Sequence, residues 1–388
     1  MGKGEVIFQR SLTRVATTSK DKEFSVVSYN ILCDDVFEKN PNLYSYLAVD
    51  VKCRGPLPND SPRHTQLIKE LHWLDADVIC LQEVDPFYFP CLLQELAPKG
   101  YDGRFQQHTT QGDGLAIFFK TRKFELVDYR KVGFNEVLGK TIDLDKLANG
   151  NKHNQRFAQY TTLRDIKSQK EMVVVNVHLT FNFWREPDVH AAQASVFFRQ
   201  LYELLPNKAK HSTPWVVCGD FNMQPHFPIY RLIKNGCLSE LDARKLRSGE
   251  YKYPEITENI TTTKHDRALE RDEDVHEMLL KELKHPFKSS SSAYKAVRGC
   301  EPKFTHYECD DVFPSVFHFD KMIDTLDYIW FSSDLLRANA VLEIVDEELI
   351  KPFCACPNMH FPSDHLSLKA VFQFIDNDND SAYSSEES

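Results

Sequence analysis

The sequence lacks an apolar run of membrane-spanning length, and its first residues lack the apolar core of a secretory signal, so we expect no membrane partner. It also lacks a basic excess. Its 47 Lys and Arg residues stand against 57 Asp and Glu residues, which argues against a general basic surface for nucleic acid. A polyanionic substrate is still compatible with this charge, because a bound divalent cation and short basic stretches such as Lys120, Arg122 and Lys123 supply local positive charge.

A paired cysteine framework is missing as well, although the chain has ten cysteines. Cys80 and Cys218 lie inside strand-like runs, which favours reduced thiols in an intracellular protein. Cys354 and Cys356 form an isolated C-x-C with no second Cys or His cluster at finger-like spacing, so we interpret them as loop cysteines. We expect a cytoplasmic location, with the nucleus as a second location.

The organisation of the chain indicates one α/β domain. Strand-like and helix-like runs alternate along the 388 residues without a clean division in two, which predicts a single domain over residues 24–375. We also expect a monomer. Residues 242–288 are charged and poor in large apolar side chains, so we expect a surface insertion with one helix around 275–283. Residues 376–388 have the composition of a disordered acidic tail.

Residues 1–23 are interpreted as an N-terminal extension or an edge strand formed by EVIFQRSL. The alternative is a mitochondrial transit peptide, since Arg10 and Arg14 lie in a Ser/Thr-rich setting, although Glu5 is untypical of one. Further along, Ser61 and Pro62 are helix-start signals.

Four distant apolar runs each end on a polar residue that can bind a metal or a phosphate. The runs FSVVSYN, DVICLQE, MVVVNVH and WVVCGDFN end on Asn30, Glu83, His178, and the pair Asp220 and Asn222. A polar group cannot lie unpaired inside a buried strand, so each run ends where the chain meets solvent or a ligand. Together with the pair Asp364-His365 in PSDHLSL, this pattern predicts an active site at one edge of a β-sheet core.

Each of these residues also has a simpler interpretation. Asn30 taken alone is a strand-end amide bound to backbone, His178 is as well explained as a satisfied core histidine, and D-x-N is typical of an Asx turn. Glu83 is different, because a carboxylate after an apolar run costs several kcal/mol unless it is paired or metal-bound, so it is the best Mg²⁺ candidate.

The remaining candidate residues point to water activation and phosphate contact. Asp220 and Asn222 project to the same face if extended, so the carboxylate can activate a water while the amide binds a phosphoryl oxygen. Asp327 in LDYIWFS is placed to hold His365 in one tautomer.

The segments SYNIL, LQEVD, GDGLAIFF, NVHL, VVCGDFN, TLDYIWFS and PSDHLSL resemble the endonuclease/exonuclease/phosphatase superfamily. They are most similar to its deadenylase-type branch, which includes nocturnin, the angel proteins and 2′-phosphodiesterase. The resemblance covers about residues 24–374. It implies an α/β fold that is a four-layer αββα sandwich, two mixed β-sheets packed face to face with helices outside.

The resemblance also implies roles for the site residues. Glu83 is then the principal Mg²⁺ ligand, with Mn²⁺ able to substitute, Asp364 assists with the metal, and Asn30 contacts phosphate or supports the metal. Asp220 activates the water, and Asn222, His178 and His365 contact the phosphoryl group, with His365 oriented by Asp327. We add as substrate-binding residues Asp113, Asn182, Phe304 and Thr305.

The resulting hypothesis is a Mg²⁺-dependent 3′-5′ exoribonuclease, similar to a deadenylase, that releases 5′-nucleotides from an RNA 3′ end. One alternative is a phosphatase acting on a nucleotide 2′-phosphate or on an RNA 2′,3′-cyclic phosphate. The other is a catalytically inactive module that binds RNA or protein. Asn182 stands where the deadenylases with leucine-rich repeats suggest aspartate, whereas angel-like sequences also have Asn there, and no leucine repeat occurs in this chain.

Overall fold

The computed structural model describes residues 6–15, 22–39, 44, 46–47, 61–108, 112–140, 156–181, 187–205, 212–248, 277, 280–309 and 321–375. The strands are β1 Leu12–Arg14, β2 Glu23–Asn30, β3 Val78–Val84, β4 Tyr101–Gln107, β5 Gly114–Lys120, β6 Phe124–Gly133, β7 Phe157–Asp165, β8 Glu171–His178, β9 Trp215–Asp220, β10 Ser290–Ser292, β11 His306–Cys309, β12 Lys321–Asp324, β13 Asp327–Ser332, β14 Leu336–Leu342 and β15 Leu368–Phe374. The helices are α1 Asp34–Lys39, α2 Pro62–Leu74, α3 Phe89–Leu96, α4 Phe134–Leu138, α5 Pro187–Leu204, α6 Pro228–Asn235, α7 Glu240–Ser248 and α8 Ala293–Arg298.

Two mixed sheets form the centre of the molecule. The first has seven strands in the order β1-β14-β15-β2-β3-β5-β4, and the second has six in the order β10-β13-β9-β8-β7-β6. Each sheet contains one parallel pair, β2 with β3 and β8 with β9, and its other neighbours are antiparallel. Strands β11 and β12 form a separate two-stranded sheet.

The uninterrupted apolar runs are explained by burial on both faces of these sheets. Val26 and Val78 of the first sheet pack against residues of the second sheet such as Val174 and Val216. The alternate residues Val27 and Ile79 face outward against helices α2 and α3.

On the other side, Val175 and Val217 pack against helices α5 and α6. The order of layers is therefore helix, sheet, sheet, helix, which confirms the predicted four-layer sandwich. None of the described helices is long and apolar enough to span a bilayer.

Several local predictions agree with the structure. Ser61 caps helix α2 by accepting a hydrogen bond from the His64 backbone N–H at 3.4 Å, and Pro62 occupies its first turn. All the cysteines whose side chains are described have free thiols, including Cys354 and Cys356.

The N-terminal segment differs from its prediction. An edge strand is present, but it spans Leu12–Arg14, and the preceding Val6–Gln9 forms a 3₁₀ helix instead of a strand. Ile7 is 1% exposed and packs into a satellite hydrophobic cluster, which a solvent-facing edge strand would not allow.

The charged region 242–288 is described only in part. Residues 277 and 280–282 are helical, where the sequence predicted a helix. Leu246 near its start and Leu283 and Phe287 near its end are buried in the cluster that covers the second sheet. Both ends of the region therefore pack against the body of the domain. The predicted acidic tail, 376–388, lies outside the described residues.

Candidate active site

Strand register places three candidate residues in one row across the second sheet. The parallel pairing of β8 with β9 sets His178 opposite Asp220. The antiparallel pairing of β9 with β13 sets Asp327 opposite the same Asp220. Asp220 therefore lies on a central strand with an imidazole on one side and a carboxylate on the other.

The first sheet contributes Asn30 and Glu83 from neighbouring parallel strands. Asn30 Nδ2 donates hydrogen bonds to Glu83 Oε1 and to Asp220 Oδ2, both at 3.0 Å, so the amide bridges the two sheets. Its Oδ1 accepts the Leu32 backbone N–H at 3.0 Å, which fixes the orientation of the amide. The backbone interpretation of Asn30 therefore holds for one end of this side chain only.

The backbone of Glu83 leaves regular strand geometry. Its φ is +55°, and the pairing of β3 with β5 shifts register between Leu81 and Val84. A bulge of this kind re-aims a side chain at a strand end. Glu83 Oε2 accepts the Cys33 N–H at 3.2 Å, and no Lys, Arg or His of the described chain forms an ion pair with this half-buried carboxylate.

Asp327 and His365 form a buried pair. Asp327 Oδ2 lies 2.8 Å from His365 Nδ1 and accepts the Thr305 hydroxyl at 2.6 Å. Burial alone lowers the pKa of His365, but the charges of Asp327 and Asp220 outweigh it and raise this pKa well above its usual value. His365 Nε2 faces Asp220 Oδ2 at 3.7 Å.

Asp220 itself is 2% exposed. Burial is the main cause that raises its pKa to about 6, with His365 opposing the shift and Asp327 adding to it. His178 Nε2 lies 3.5 Å from Asp220 Oδ2, and burial and Arg156 lower the pKa of this histidine. A carboxylate with such a pKa is ionised at neutral pH and is basic enough to accept a proton from a bound water.

The D-x-N segment is also a turn. The Asn222 backbone N–H donates to Asp220 Oδ1 at 2.9 Å, and Asn222 has φ of +47°. Asn222 Nδ2 donates to the Leu179 carbonyl at 3.1 Å, which ties the amide to the end of β8. The D-x-N segment therefore forms the Asx turn, and it also places Asn222 beside Asp220.

Asp364 belongs to a neighbouring group. Its Oδ2 accepts the Tyr44 hydroxyl at 3.0 Å and lies 3.8 Å from His306 Nε2. Burial alone raises its pKa, but His306 and His365 outweigh that effect and hold the pKa below its usual range. Within the described residues, no hydrogen bond or ion pair joins Asp364 to Glu83.

Two residues predicted to bind substrate have other contacts. Phe304 is 4% exposed and packs edge-on against Tyr307 in a hydrophobic cluster, so it is a core residue. Thr305 is fully buried, and its hydroxyl also accepts the Asp327 backbone N–H at 3.0 Å, so it orients Asp327. Asp113 is buried with its Oδ2 4.0 Å from His178 Nδ1. Asn182 lies outside the described residues.

The sequence interpretation missed His306. This residue is 5% exposed, and its ring centroid lies 4.7 Å from that of His365. It directly follows Phe304 and Thr305, two predicted substrate-binding residues, and this position was the one signal available. Among the described His and carboxylate side chains, three groups bring one possible ligand atom per residue within 4.8 Å of one another: His108, Asp113 and His178; His306, Asp364 and His365; and Asp220, Asp327 and His365.

A two-sheet sandwich with carboxylates, amides and paired imidazoles at one end of both sheets defines the class of the protein. Residues 27–365 match the Endonuclease/Exonuclease/phosphatase family, and the chain belongs to this family.

The curated relatives include CCR4-Not complex 3'-5'-exoribonuclease subunits named Ccr4. The Aspergillus niger protein is 27% identical over 93% of this chain and 53% of its own length. The Yarrowia lipolytica protein is 27% identical over 90% of this chain and 48% of its own length. The chain thus spans about half the length of these curated Ccr4 relatives.

One similar solved structure is that of ANGEL2, a 2',3'-cyclic phosphatase, in complex with adenosine-2',3'-vanadate. It superposes on this chain with a TM-score of 0.72 at 26% sequence identity. The superposition covers 94% of this chain and 99% of ANGEL2. The human nocturnin catalytic domain has the same fold, with a TM-score of 0.56 at 20% identity over 95% of this chain and 98% of that domain. The family match confirms the predicted superfamily, and the similarity to Ccr4 and ANGEL2 is the one expected for its deadenylase-type branch.

Proposed function

We propose that the chain is a Mg²⁺-dependent phosphodiesterase that removes nucleotides from the 3′ end of RNA and releases 5′-nucleotides. The observation that carries the proposal is the convergence of Asn30, His178 and the His365–Asp327 pair on Asp220 Oδ2. The names of the Ccr4 relatives support the same reaction class.

The proposed chemistry follows from the surroundings of Asp220. Its carboxylate orients a water and accepts the proton as the water attacks phosphorus in line. Asn30 holds this carboxylate in place through Nδ2, and the Asn222 backbone N–H holds the other oxygen. His365, kept cationic by Asp327, contacts a phosphoryl oxygen through Nε2 and offsets the charge that develops there.

The donor atoms of the site fit a hard divalent cation. Glu83 offers carboxylate oxygens at the rim without a cationic side chain beside them among the described residues, and such oxygens suit Mg²⁺. A bound Mg²⁺ would polarise the phosphoryl group and neutralise its charge. We assign Glu83 as the principal ligand. Asp364, with its contacts to Tyr44 and His306, is assigned to the support of His365 instead.

A second candidate function is hydrolysis of a 2′,3′-cyclic phosphate at an RNA end. The ANGEL2 structure favours it, since that protein is described as a 2',3'-cyclic phosphatase and covers nearly the whole of this chain. The same Asp220 and His365 would serve both reactions. The two candidates differ in product, because cyclic phosphate hydrolysis leaves the chain length unchanged.

The deciding experiment incubates the purified protein and Mg²⁺ with 5′-labelled RNA that ends in a 3′-hydroxyl or in a 2′,3′-cyclic phosphate. Shortening of the first RNA supports the exoribonuclease, and opening of the cyclic phosphate at constant length supports the second candidate. Glu83→Gln should abolish either activity, whereas Glu125→Gln, at an exposed pair with Arg164, is the matched control. No turnover of either RNA by the wild-type protein would refute both functions.

We also propose that residues 24–375 act as one catalytic domain, that the protein is a monomer, and that it works in the cytoplasm or nucleus. Leu246 and Phe287, at the two ends of the charged region, pack into one cluster, which supports the single domain. Light scattering of the purified protein tests the monomer, and a mass twice that of the chain would contradict it.

A further inference from the structure

A buried polar cluster lies on the His178 side of the site, and two of its members, His108 and Asp113, have no role in the proposed chemistry. His108 follows strand β4 and Asp113 precedes β5, and the His108 backbone N–H donates to the Asp113 carbonyl at 3.0 Å. His178 completes the cluster at the end of β8. One nitrogen or oxygen atom from each of the three side chains lies within 4.8 Å of the others.

Two ring nitrogens of this cluster lack a hydrogen-bond partner. His108 Nε2 and His178 Nδ1 are both buried and unpartnered in the part of the chain that the structure describes. Their residues are only 1% and 4% exposed. Buried polar atoms of native proteins are almost always paired, so each of these two atoms needs a partner, which a bound ligand or an ordered water supplies.

The hydrogen on the His108 ring can be assigned from its surroundings. His108 Nδ1 accepts the Phe157 backbone N–H at 3.3 Å, so it carries a lone pair. In the neutral ring the hydrogen is then on Nε2, the unpartnered atom. A metal-binding histidine shows the reverse pattern, because its other ring nitrogen donates a hydrogen. His108 Nε2 is therefore a donor that requires an acceptor atom.

The spacing of the cluster also favours an oxygen atom over a metal ion. His178 Nδ1 and Asp113 Oδ2 are 4.0 Å apart. Two ligands of a tetrahedral Zn²⁺ at about 2.1 Å lie only about 3.4 Å apart. An oxygen at about 2.8 Å from each of three atoms allows separations of up to about 4.8 Å.

The charges around the cluster select a neutral ligand. Burial and Arg156 favour the neutral form of both imidazoles, so neither attracts an anion strongly. Arg156 itself is bound to the His178 carbonyl at 3.3 Å. A hydroxyl fits this setting, since it can accept the hydrogen of His108 Nε2 and donate its own to Asp113.

We propose that His108, Asp113 and His178 bind a ribose hydroxyl of the nucleotide in the site and so select RNA over DNA. The location suits this role, because His178 faces Asp220 through its other ring nitrogen at 3.5 Å. The proposal rests on the proposed function for its substrate class, and it adds the group by which the sugar is recognised.

Binding tests the proposal without turnover. The Asp220→Asn protein is titrated with 5′-labelled RNA in Mg²⁺, and Kd is measured for an all-ribose strand and for three modified strands. Two of these carry a 2′-deoxy or a 3′-deoxy sugar at the last nucleotide, and the third carries a 2′-deoxy sugar at the last but one. We expect one of these positions to weaken binding roughly tenfold to hundredfold. His108→Met in the same background should weaken the ribose strand by a similar factor and leave the sensitive deoxy strand almost unchanged.

His108→Gln is the matched control, because its amide keeps a donor near the position of Nε2 and should restore most of the ribose preference. If His108→Met weakens the binding of ribose and deoxy strands equally, the cluster holds only an ordered water and the proposal is overturned. Equal binding of ribose and deoxy strands to the Asp220→Asn protein would overturn it as well. Inactivity of the wild-type protein on RNA would instead refute the proposed function while the binding result still stands.

Discussion

At the scale of single residues, Asp220 and its neighbours show how burial and charge combine. Asp220 and Asp327 face each other across the β9–β13 pair, and both carboxylates share one imidazole, that of His365. Burying two carboxylates beside one cation is unfavourable for folding, because like charges repel and both groups lose hydration. The same arrangement gives Asp220 its raised pKa, which the proposed role of Asp220 as a base requires.

Asp220→Asn should therefore separate activity from stability. We expect the rate to fall by more than about a thousandfold, because the amide cannot accept the proton of the water. The melting temperature should stay unchanged or rise slightly, since one buried charge is removed. Rate assays and calorimetry check both parts, and Glu125→Gln should leave both values unchanged. A melting temperature lower by many degrees would make Asp220 a structural residue.

The His365–Asp327 pair should behave as a unit. Their 2.8 Å contact predicts that His365→Ala and Asp327→Asn each reduce the rate by roughly a hundredfold or more. The double variant should be little slower than the slower single variant, because either change already removes the oriented cation. Single-turnover rates of the four proteins measure this coupling. Effects on the activation free energy that simply add would contradict the pair.

At the scale of elements, one arginine joins two loops that carry site residues. Arg63, in the first turn of α2, donates from Nε to the Pro362 carbonyl at 2.7 Å and from Nη2 to the Ile31 carbonyl at 2.9 Å. Its side chain is 1% exposed. A cation at a helix N-terminus opposes the helix dipole, so these contacts with the loops account for its position.

Arg63→Ala should loosen both loops. Its loss removes two buried hydrogen bonds from a charged donor, each of which contributes about 1.5–3 kcal/mol, so we expect a free energy of unfolding lower by roughly 3 kcal/mol and a rate lower by at least about tenfold. Arg63→Lys should recover part of both, because it restores one donor at a time. Denaturant unfolding and rate assays measure these effects, with exposed Arg122→Ala as the control. Wild-type behaviour of Arg63→Ala would show that the loops are held by other contacts.

At the scale of the whole molecule, the sequence predicts the parts that follow from periodicity and composition. The runs buried on both faces, such as FSVVSYN and MVVVNVH, identify the central strands, and their polar ends mark Asn30 and His178. The sandwich as a whole came from the family resemblance, because strand runs alone do not fix which strands pair. The positive φ of Glu83 was not predictable either, since the bulge depends on how β3 meets β5.

Other differences have a tertiary cause. Phe304 and Thr305 directly precede β11. The sequence alone does not show which residues of this segment face the site and which face the core, because that depends on how β11 pairs with β12. The ends of the charged region are buried through Leu246 and Phe287, although its composition predicts a surface position. A few apolar residues at the ends of a polar segment are enough to attach the segment to the body of the domain. The average composition of the segment does not reveal such residues.

His285 is one of the residues that attach the charged region to the body of the domain. His285 is 7% exposed, its Nε2 donates to the Leu232 and Ile233 carbonyls at 3.1 Å, and its ring stacks on Phe198 with centroids 4.4 Å apart. Burial is the main cause that lowers its pKa to about 4 from 6.5, with the two carbonyl contacts opposing the shift. The folded protein therefore keeps this ring neutral at a pH where the unfolded chain binds a proton.

The free energy of unfolding should consequently fall as the pH decreases from about 6.5 to about 4, because unfolding takes up a proton at His285 in that interval. A full shift of this size corresponds to roughly 3 kcal/mol. His285→Gln keeps a donor for the two carbonyls but does not titrate, so its stability should fall less over the same interval. Urea unfolding at a series of pH values measures the difference, with His72→Gln, at a half-buried site on α2, as the control. If the wild-type and His285→Gln proteins lose stability in parallel, His285 titrates normally and does not contribute to the acid sensitivity of the domain.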